Sequence, residues 1–444
     1  MATPEERIRD TEVCQPPNQK SGEAQRSAPE SSRSAVPLVE EFHVDRGRTV
    51  IVRTVRRRDG SRVASEIPLG GLDIAGHDLG AAYDRAWLRS PKEPKLRGRR
   101  RTVRTVDLFS GCGGLTVGVA EACRALGARL EPLLAVDIDS TALDVYQQNI
   151  PARRTVPEPI ETILNSDLGA PLSSRERRLK QELGHVDIVM GGPPCQGHSD
   201  LNNHTRRADP KNALYARMAR FAEVCEPAHI IIENVNGVRH DNGAVFERTR
   251  DYLGHLGYHV DGRLLRAEVV GVPQSRPRVL LIASKKVCVT VEQIAELYRT
   301  GPRDFGWACG DLNMDQSSAF DRPSTPKAVT KERIDYLFDH DLYELPDHMR
   351  PACHRSGHTY PSVYGRIRPD KPAPTITTGF MTMGQGRFVH PHERRTLTAH
   401  EGARIQCFPD WFNFGIRSRQ AYITLIGNAV PPKLAYVLAL ELLR

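Results

Sequence analysis

The stretch GGPPCQGHS, residues 191–199, places Cys195 on a loop rich in glycine and proline. It follows the apolar run VDIVM (186–190), which predicts a buried β-strand. The loop has too few apolar side chains to form a core and too many chain-breaking residues to continue the strand. Taken alone it fits either a small buried cysteine at a turn or a nucleophile at the carboxyl edge of an α/β sheet, where ligands bind.

A second group of candidate residues follows two earlier predicted strands. The strand TVDLF (105–109) runs into the glycine-rich SGCGG (110–114), and a helix is predicted from about Leu115. Such a turn lets a ligand approach the backbone closely. Asp137 ends the next strand, where an acid can accept both hydroxyls of a ribose. The spacing departs from G-x-G-x-x-G and basic residues for a pyrophosphate are absent, which favours S-adenosylmethionine over a dinucleotide.

Further polar residues end later strands. Glu233 and Asn234 follow HIII (229–232), and the stretch QSRPRVLLIA (274–283) carries Arg276 and Arg278 two residues apart. On one strand these two guanidinium groups would share a face and suit an anion or a carboxylate. A solvated strand end is the alternative interpretation for Glu233.

Composition limits the class of protein. The chain has 444 residues, 39% of them hydrophobic and 26% charged, as in ordinary soluble proteins. We expect no transmembrane helix, signal peptide or disulfide framework, and the nine cysteines show no zinc-binding spacing; Cys353, His354 and His358 lack a second pair. No metal is predicted. The net charge of +8 allows a polyanionic partner, and arginine clusters lie at 53–62, 97–104 and 204–212.

The texture of the sequence predicts five segments. Residues 1–36 have almost no apolar periodicity and predict a disordered tail. Residues 37–101 form an N-terminal extension with a basic hairpin about Asp59-Gly60. From 102 to 285, apolar strands alternate with amphipathic helices, which predicts an α/β domain with a mostly parallel sheet. Residues 286–390 are irregular and predict a small inserted domain, and regular structure resumes in 391–444.

In their order along the chain, these blocks resemble the bacterial-type DNA (cytosine-5) methyltransferases. The resemblance covers about 102–283 and 390–444. It rests on DLFSGCGGL (107–115), Asp137, GGPPCQG (191–197), ENV (233–235), the Gln274/Arg276/Arg278 block, LTAHEGARIQCFPD (397–410) and GNAVPP (427–432). His198 departs from the aromatic residue that the family often has there, and 1–100 has no counterpart in its minimal members.

The resemblance implies a Rossmann-like, S-adenosylmethionine-dependent methyltransferase fold, with 286–390 as the target-recognition domain. It implies that Cys195 is the nucleophile, that Glu233 acts at ring nitrogen 3 of the base, and that Arg276 and Arg278 orient it or the base. The implied cofactor residues are Phe109, Gly111, Gly113, Gly114, Leu115, Asp137, Ile138, Asp167, Pro194, Asn428 and Val430. The implied DNA contacts are Gln196, Ser199, Arg206, Arg207 and Lys211.

The implied reaction moves a methyl group to carbon 5 of a cytosine flipped out of a specific double-stranded DNA sequence. We expect a cytoplasmic monomer without membrane contact. The alternative is an RNA (cytosine-5) methyltransferase, but the Cys-Phe-Thr tripeptide of that branch is absent. An amino-methyltransferase would need Tyr or Phe where Cys195 stands, and a catalytically dead DNA-binding protein would be expected to lose Cys195 or its partners. The recognised sequence, the existence of a cognate restriction endonuclease and the base that removes the carbon 5 proton stay open.

Overall fold

The computed structural model describes residues 39–72, 74, 78–95, 101–194, 214–240, 244–312, 318–355 and 363–444. The predicted tail, 1–36, lies outside the described residues. So do Cys195 and the predicted DNA contacts Gln196, Ser199, Arg206, Arg207 and Lys211.

The N-terminal extension folds as a three-stranded antiparallel sheet followed by a helix. Its elements are β1 (Glu40–Asp45), β2 (Val50–Arg56), β3 (Arg62–Pro68) and α1 (Leu79–Leu88). The predicted hairpin is confirmed: the amide of Arg57 donates to the carbonyl of Ser61 at 2.8 Å, and Gly60 adopts φ +82° in the turn. Strand β1 was not predicted, because its sequence EEFHVD has too few apolar residues for a clear strand signal.

A larger sheet carries the strands predicted after residue 102. It contains, in chain order, β4 (Thr102–Leu108), β5 (Arg129–Val136), β6 (Arg154–Val156), β7 (Ile188–Gly191), β8 (His229–Asn234), β9 (His259–Arg266) and β11 (Pro277–Ser284). The spatial order is β6-β5-β4-β7-β8-β11-β9, with β11 antiparallel to both neighbours and the other pairs parallel. A short parallel pair, β10 (Gln274–Ser275) with β12 (Ala373–Pro374), stands apart. The predicted mostly parallel α/β sheet is confirmed.

Helices cover both faces of this sheet, as a parallel sheet requires. The described helices after α1 are, in chain order, α2 (Gly114–Ala125), α3 (Ser140–Asn149), α4 (Ser174–Leu183), α5 (Leu214–Cys225), α6 (Val245–His255), α7 (Val291–Leu297), α8 (Phe305–Cys309), α9 (Ala328–Asp339), α10 (Ala399–Ile405), α11 (Arg419–Asn428) and α12 (Pro432–Leu443). Alternate strand residues point to opposite faces. Ile188 and Met190 pack with α2, α7 and α12, whereas Val189 packs with α4, α5 and α6.

The extension is part of the main core. Val39 and Val55 pack with α2 and α12, and Ile51 and Ile67 pack in a second cluster with α3 and α10. Two arginines of the predicted basic cluster at 53–62 bind backbone carbonyls of the catalytic domain. Arg57 donates to the carbonyl of Leu126, and Arg58 donates to the carbonyl of Glu441 at 2.8 Å.

The predicted inserted domain, 286–390, contains a small core of its own and two helices that pack elsewhere. Its own core consists of Ile334, Leu337, Leu345, Val363, Tyr364, Met383 and Val389. By contrast, Val291 and Ile294 of α7 pack against α12, and Phe305 of α8 packs in the main core. The spaced apolar residues of 287–309 build α7, which packs on β9 and α12, and α8, which packs on α10 and α1.

One stretch of the described chain, Arg419–Leu443, is long and apolar enough to cross a membrane: it has 25 residues and includes an 18-residue window with a mean hydropathy of 1.4. This was not expected from the sequence. The stretch is divided into α11 and α12 around Ala429–Pro431, and 83% of that window is buried inside the protein. We interpret it as two core helices.

Candidate active site

The glycine loop after β4 is held in a conformation that few residues tolerate. Gly111 and Gly113 have φ of +52° and +99°, and Phe109 has φ +59°, which is unusual for an aromatic residue. A Cβ on Gly113 would lie 2.9 Å from side-chain atoms of Ile150 and Tyr146. The loop leads into the N-terminus of α2, and backbone strain of this kind is typical of ligand sites.

Asp137 ties this loop to the end of β5. Its Oδ2 accepts the amide of Gly111 at 2.7 Å and its Oδ1 accepts the amide of Asp139 at 2.9 Å. Burial raises the pKa of Asp137, the two amide hydrogen bonds oppose this, and the net direction is upward. Each carboxylate oxygen keeps a second lone pair, so the group can still accept two hydroxyls.

The surroundings of Asp137 fit a nucleoside that carries no phosphate. Ile138 is 74% exposed, which is unusual for an isoleucine on a rigid strand end and provides an apolar surface for a base. Residues 109–115 and 136–139 contain no lysine or arginine. Asn428 is exposed at the end of α11, while Val430 is buried beside the glycine loop. A Cβ on Gly114 would lie 2.2 Å from the carbonyl oxygen of Val430, so glycine is needed there.

Sequence reasoning missed a buried polar group beneath this loop. Asp107 in β4 is 1% exposed, and its Oδ2 accepts a hydrogen bond from Thr116 Oγ1 at 2.6 Å. Burial raises the pKa of Asp107 to about 8, so the carboxyl group is largely protonated at neutral pH. Its Oδ1 accepts no hydrogen bond from any described residue. The available signal was an acid inside the apolar run TVDLF.

Glu233 is the penultimate residue of β8 and forms an ion pair with Arg278 of the adjacent β11. Arg278 Nε lies 2.9 Å from Glu233 Oε1, and the two side chains are 12% and 9% exposed. The register explains the contact: Glu233 pairs with Leu280, and Arg278, two residues before Leu280, lies on the same face of the sheet. A partly buried pair of this kind fixes the direction of the carboxylate.

The backbone that leads to Cys195 passes beside this pair. Asn234 Nδ2 donates to the carbonyl of Pro193 at 3.3 Å, and a Cβ on Gly192 would lie 3.7 Å from Glu233 Oε2. The same Cβ would lie 3.6 Å from Val430 Cγ2. Residues 192–194 therefore run between Glu233 and the segment that carries Val430. Pro194, a predicted cofactor residue, is half-buried at the end of this run.

Arg276 has a different position from the predicted one. It precedes β11 instead of sharing a strand with Arg278, and its guanidinium donates to the carbonyls of Ile376 at 3.1 Å and Ala429 at 3.0 Å. Gln274, another residue of the same block, donates to Gln406 Oε1 at 2.7 Å. These buried bonds join three distant segments of the chain around Ala429.

Two predicted cofactor residues have surroundings that limit their role. The side chain of Leu115 is 4% exposed and packs in the core, so only its backbone amide can face a ligand. Asp167 is exposed on the segment between β6 and α4, and its neighbour Ser166 is bound to Arg217 and Glu176. No described contact connects Asp167 with the glycine loop.

Comparison with known proteins identifies the family. The model of the C-5 cytosine-specific DNA methylases matches residues 103–444. The chain belongs to this family. It is 46% identical over 409 residues to the type II methyltransferase M1.BsuMI of Bacillus subtilis, covering 91% of this chain and 95% of that protein. It is 31% identical to the type II methylase M.HgiDII of Herpetosiphon aurantiacus, covering 76% and 94%.

The fold has solved counterparts. The S. pombe Dnmt2 methyltransferase superposes with a TM-score of 0.51 at 18% identity, covering 77% of this chain and 98% of that structure.

As a member of the C-5 methylases, the protein transfers methyl groups to carbon 5 of cytosine in DNA and uses S-adenosylmethionine. The 91% of the chain matched by M1.BsuMI exceeds 103–444, so part of the N-terminal extension is shared with that relative.

Proposed function

We propose that this methylase works through a covalent adduct between Cys195 and carbon 6 of a cytosine flipped out of double-stranded DNA. The observation that carries the proposal is the Glu233–Arg278 ion pair beside the backbone of Gly192, three residues before Cys195. A thiolate delivered by that loop would act on a base whose ring edge faces the Glu233 carboxyl.

The chemistry explains why both residues are needed. Carbon 5 of cytosine is a weak nucleophile, and addition of the Cys195 sulfur to carbon 6 raises its electron density. The Glu233 carboxyl shares a proton with ring nitrogen 3 as negative charge develops there, and Arg278 holds the carboxyl in place. S-adenosylmethionine supplies the electrophilic methyl group. A base then removes the carbon 5 proton, and the carbon–sulfur bond breaks by elimination, which restores the ring and releases the Cys195 thiolate.

The cofactor-binding proposal assigns each group a chemical task. Asp137 would accept the ribose hydroxyls and Ile138 would cover the base of the cofactor. The backbone of Phe109, Gly111, Gly113, Gly114 and Leu115 would face the methionine part, with Pro194, Asn428 and Val430 completing the pocket and Asp167 as a further predicted contact. The exposure of Ile138 and the strain at Phe109 support this assignment.

DNA recognition is divided between two regions in this proposal. Gln196, Ser199, Arg206, Arg207 and Lys211 follow the nucleophile and would contact the flipped nucleotide and its phosphates. The small domain around Ile334 and Leu337 would recognise the base sequence, because the catalytic residues do the same chemistry on any flipped cytosine.

We further propose a monomeric, cytoplasmic enzyme of a restriction-modification system, paired with an endonuclease that cuts the same DNA sequence. The support is the type II designation of its relatives M1.BsuMI and M.HgiDII. An endonuclease gene beside its own, and protection of DNA against that endonuclease after methylation, would test the pairing.

Cys195→Ser tests the nucleophile. A hydroxyl is far less acidic than a thiol, so we expect methyl transfer to fall by roughly 10³-fold or more. Binding of S-adenosylmethionine, measured by calorimetry, should stay unchanged. Cys288→Ser is the matched control, because Cys288 is an exposed cysteine after β11 and outside the site. A Cys195→Ser enzyme with near wild-type turnover would refute the proposal.

A further inference from the structure

We propose that Asp84, in the N-terminal extension, is a positioning residue for the cofactor-binding segment Asn428–Val430. The inference rests on the proposed role of that segment in the cofactor pocket. On this proposal the N-terminal extension supports cofactor binding, although the family's minimal members carry out the reaction without such an extension.

Asp84 joins two cations of the catalytic domain. Its Oδ2 lies 2.7 Å from Lys433 Nζ and 2.5 Å from Arg303 Nη2. The side chains of all three are largely buried, with 17% exposure for Asp84, 13% for Lys433 and 4% for Arg303. Removing a carboxylate from such a site leaves two buried charges without their partner, which is strongly destabilising.

The first cation connects Asp84 directly to the cofactor segment. Lys433 lies in the first turn of α12, three residues after Val430. On its other side, this turn is pressed against α2: a Cβ on Gly118 would lie 2.2 Å from the carbonyl oxygen of Pro432. The start of α12 is therefore held between α2 and α1, and the Asp84–Lys433 pair provides the α1 side of that contact.

The second cation connects Asp84 to the same segment by another path. Arg303 also donates to the carbonyl of Gly271 at 2.8 Å, and a Cβ on Gly271 would lie 2.7 Å from Arg303 Cζ. Gly271 leads into Gln274 and then Arg276, whose guanidinium binds the carbonyl of Ala429. Both connections from Asp84 thus end on the backbone between Asn428 and Lys433.

The charge of the Asp84 carboxyl group agrees with this role. Burial raises the pKa of Asp84, but Lys433 and Arg303 outweigh it and lower the value to about 2. The carboxylate is therefore charged, and both contacts are present, throughout the range in which the enzyme would be assayed.

The test compares variants in the contacts made by the two ends of α12. At its start, we expect either Asp84→Asn or Lys433→Met to raise the Kd for S-adenosylmethionine roughly 5- to 150-fold, measured by calorimetry without DNA. Lys433→Met keeps the Asp84–Arg303 pair. Glu441→Gln is the matched control. Glu441 is also buried on α12 and pairs with Arg58 of the extension and with Tyr298, but at the far end of the helix.

We expect Glu441→Gln to lower the melting temperature while changing that Kd by less than about twofold, because distant sites act independently. A Kd within twofold of wild type in folded Lys433→Met would overturn the proposal. So would an equal loss of affinity in Glu441→Gln, which would indicate a merely structural role. Asn428→Ala tests the cofactor pocket separately from the role of Asp84. If this variant leaves the Kd for S-adenosylmethionine unchanged, the proposal that residues 428–430 bind the cofactor fails.

Discussion

Arg278 Nε and Glu233 Oε1 lie 2.9 Å apart across adjacent antiparallel strands, with both side chains about nine-tenths buried. Strand pairing rather than a flexible loop sets this distance. Such a pair keeps the carboxyl group at one position relative to the Gly192–Pro194 backbone, which leads to the nucleophile. A preorganised group of this kind costs no reorganisation when charge develops on the bound base.

Glu233→Gln should reduce turnover while leaving the fold intact. The amide keeps the shape of the side chain but cannot exchange a proton with the base, so we expect kcat to fall by about 10²- to 10⁴-fold. Steady-state methylation with tritiated cofactor checks this. An unchanged Kd for S-adenosylmethionine would confirm that the loss is in the chemistry, and a kcat within threefold of wild type would contradict the assigned role.

The two arginines of one sequence block should behave differently. Arg278→Met removes the partner of Glu233 and should lower kcat with little change in cofactor affinity. Arg276→Met removes the bonds to Ile376 and Ala429 and should weaken cofactor binding and lower the melting temperature. Measuring kcat, Kd and melting temperature for both variants checks this. Identical profiles would show that the two side chains share one role.

Much of this architecture could be predicted from the sequence, and the failures have physical causes. The apolar runs of β4, β5, β7, β8 and β11 are buried on both sides and stand out at once. Strand β9 was missed because it lies at the sheet edge, has a single buried residue, Leu265, and its sequence HVDGRLLR has no continuous apolar run. The packing of 287–309 on the main core was not predicted, because Gly301, Pro302 and Gly306 interrupt the apolar pattern of the two helices there.

In the candidate site, too, some residues could be predicted from the sequence and others could not. Glu233 and Arg278 were found because each directly follows or begins an apolar run. The separate position of Arg276 could not be predicted, because it depends on carbonyls more than 90 residues away along the chain. Asp84 and Lys433 carry no sequence signal for their pairing either, since the two residues meet only after the extension packs on α12.

Exchange of the small domain should transfer DNA specificity if α7 and α8 are left in place. Replacing 328–389, which contains α9 and all the residues of the small core, by the same region of a relative with another target should give an active enzyme that methylates the relative's sequence. Replacing 286–390 should give a less stable protein, because α7 and α8 of the relative would then have to pack against the main core of this chain. Bisulfite sequencing of methylated plasmid checks which DNA sequence the 328–389 chimera methylates. An active 328–389 chimera that still methylates the original site would exclude the small domain as the reader.

His229 should make stability depend on pH. Burial lowers the pKa of His229 to about 4 from 6.5, helped by nearby Lys286 and Arg101, and its Nδ1 lies 2.9 Å from Ser284 Oγ. The folded state therefore binds this proton less readily than the unfolded chain. The stabilisation is fully present above pH 6.5 and is lost as the pH falls from 6.5 toward 4.

Urea unfolding at pH 7.5 and pH 5.0 measures that effect. The wild type should lose roughly 1–2 kcal/mol more than His229→Gln over this interval, since one pKa unit corresponds to about 1.4 kcal/mol. Equal losses in both proteins would show that other groups dominate the pH dependence.

The central claim is that Cys195 forms a bond to carbon 6 of the target cytosine, and trapping that bond tests it most directly. DNA with 5-fluorocytosine at the target position blocks the final elimination, because fluorine cannot leave as the carbon 5 proton does. With S-adenosylmethionine present, we expect a denaturant-resistant complex. Mass spectrometry should locate the methylated fluorocytosine on the peptide that contains Cys195. A trapped complex on any other residue, or complete turnover of the fluorinated DNA without one, would contradict the account.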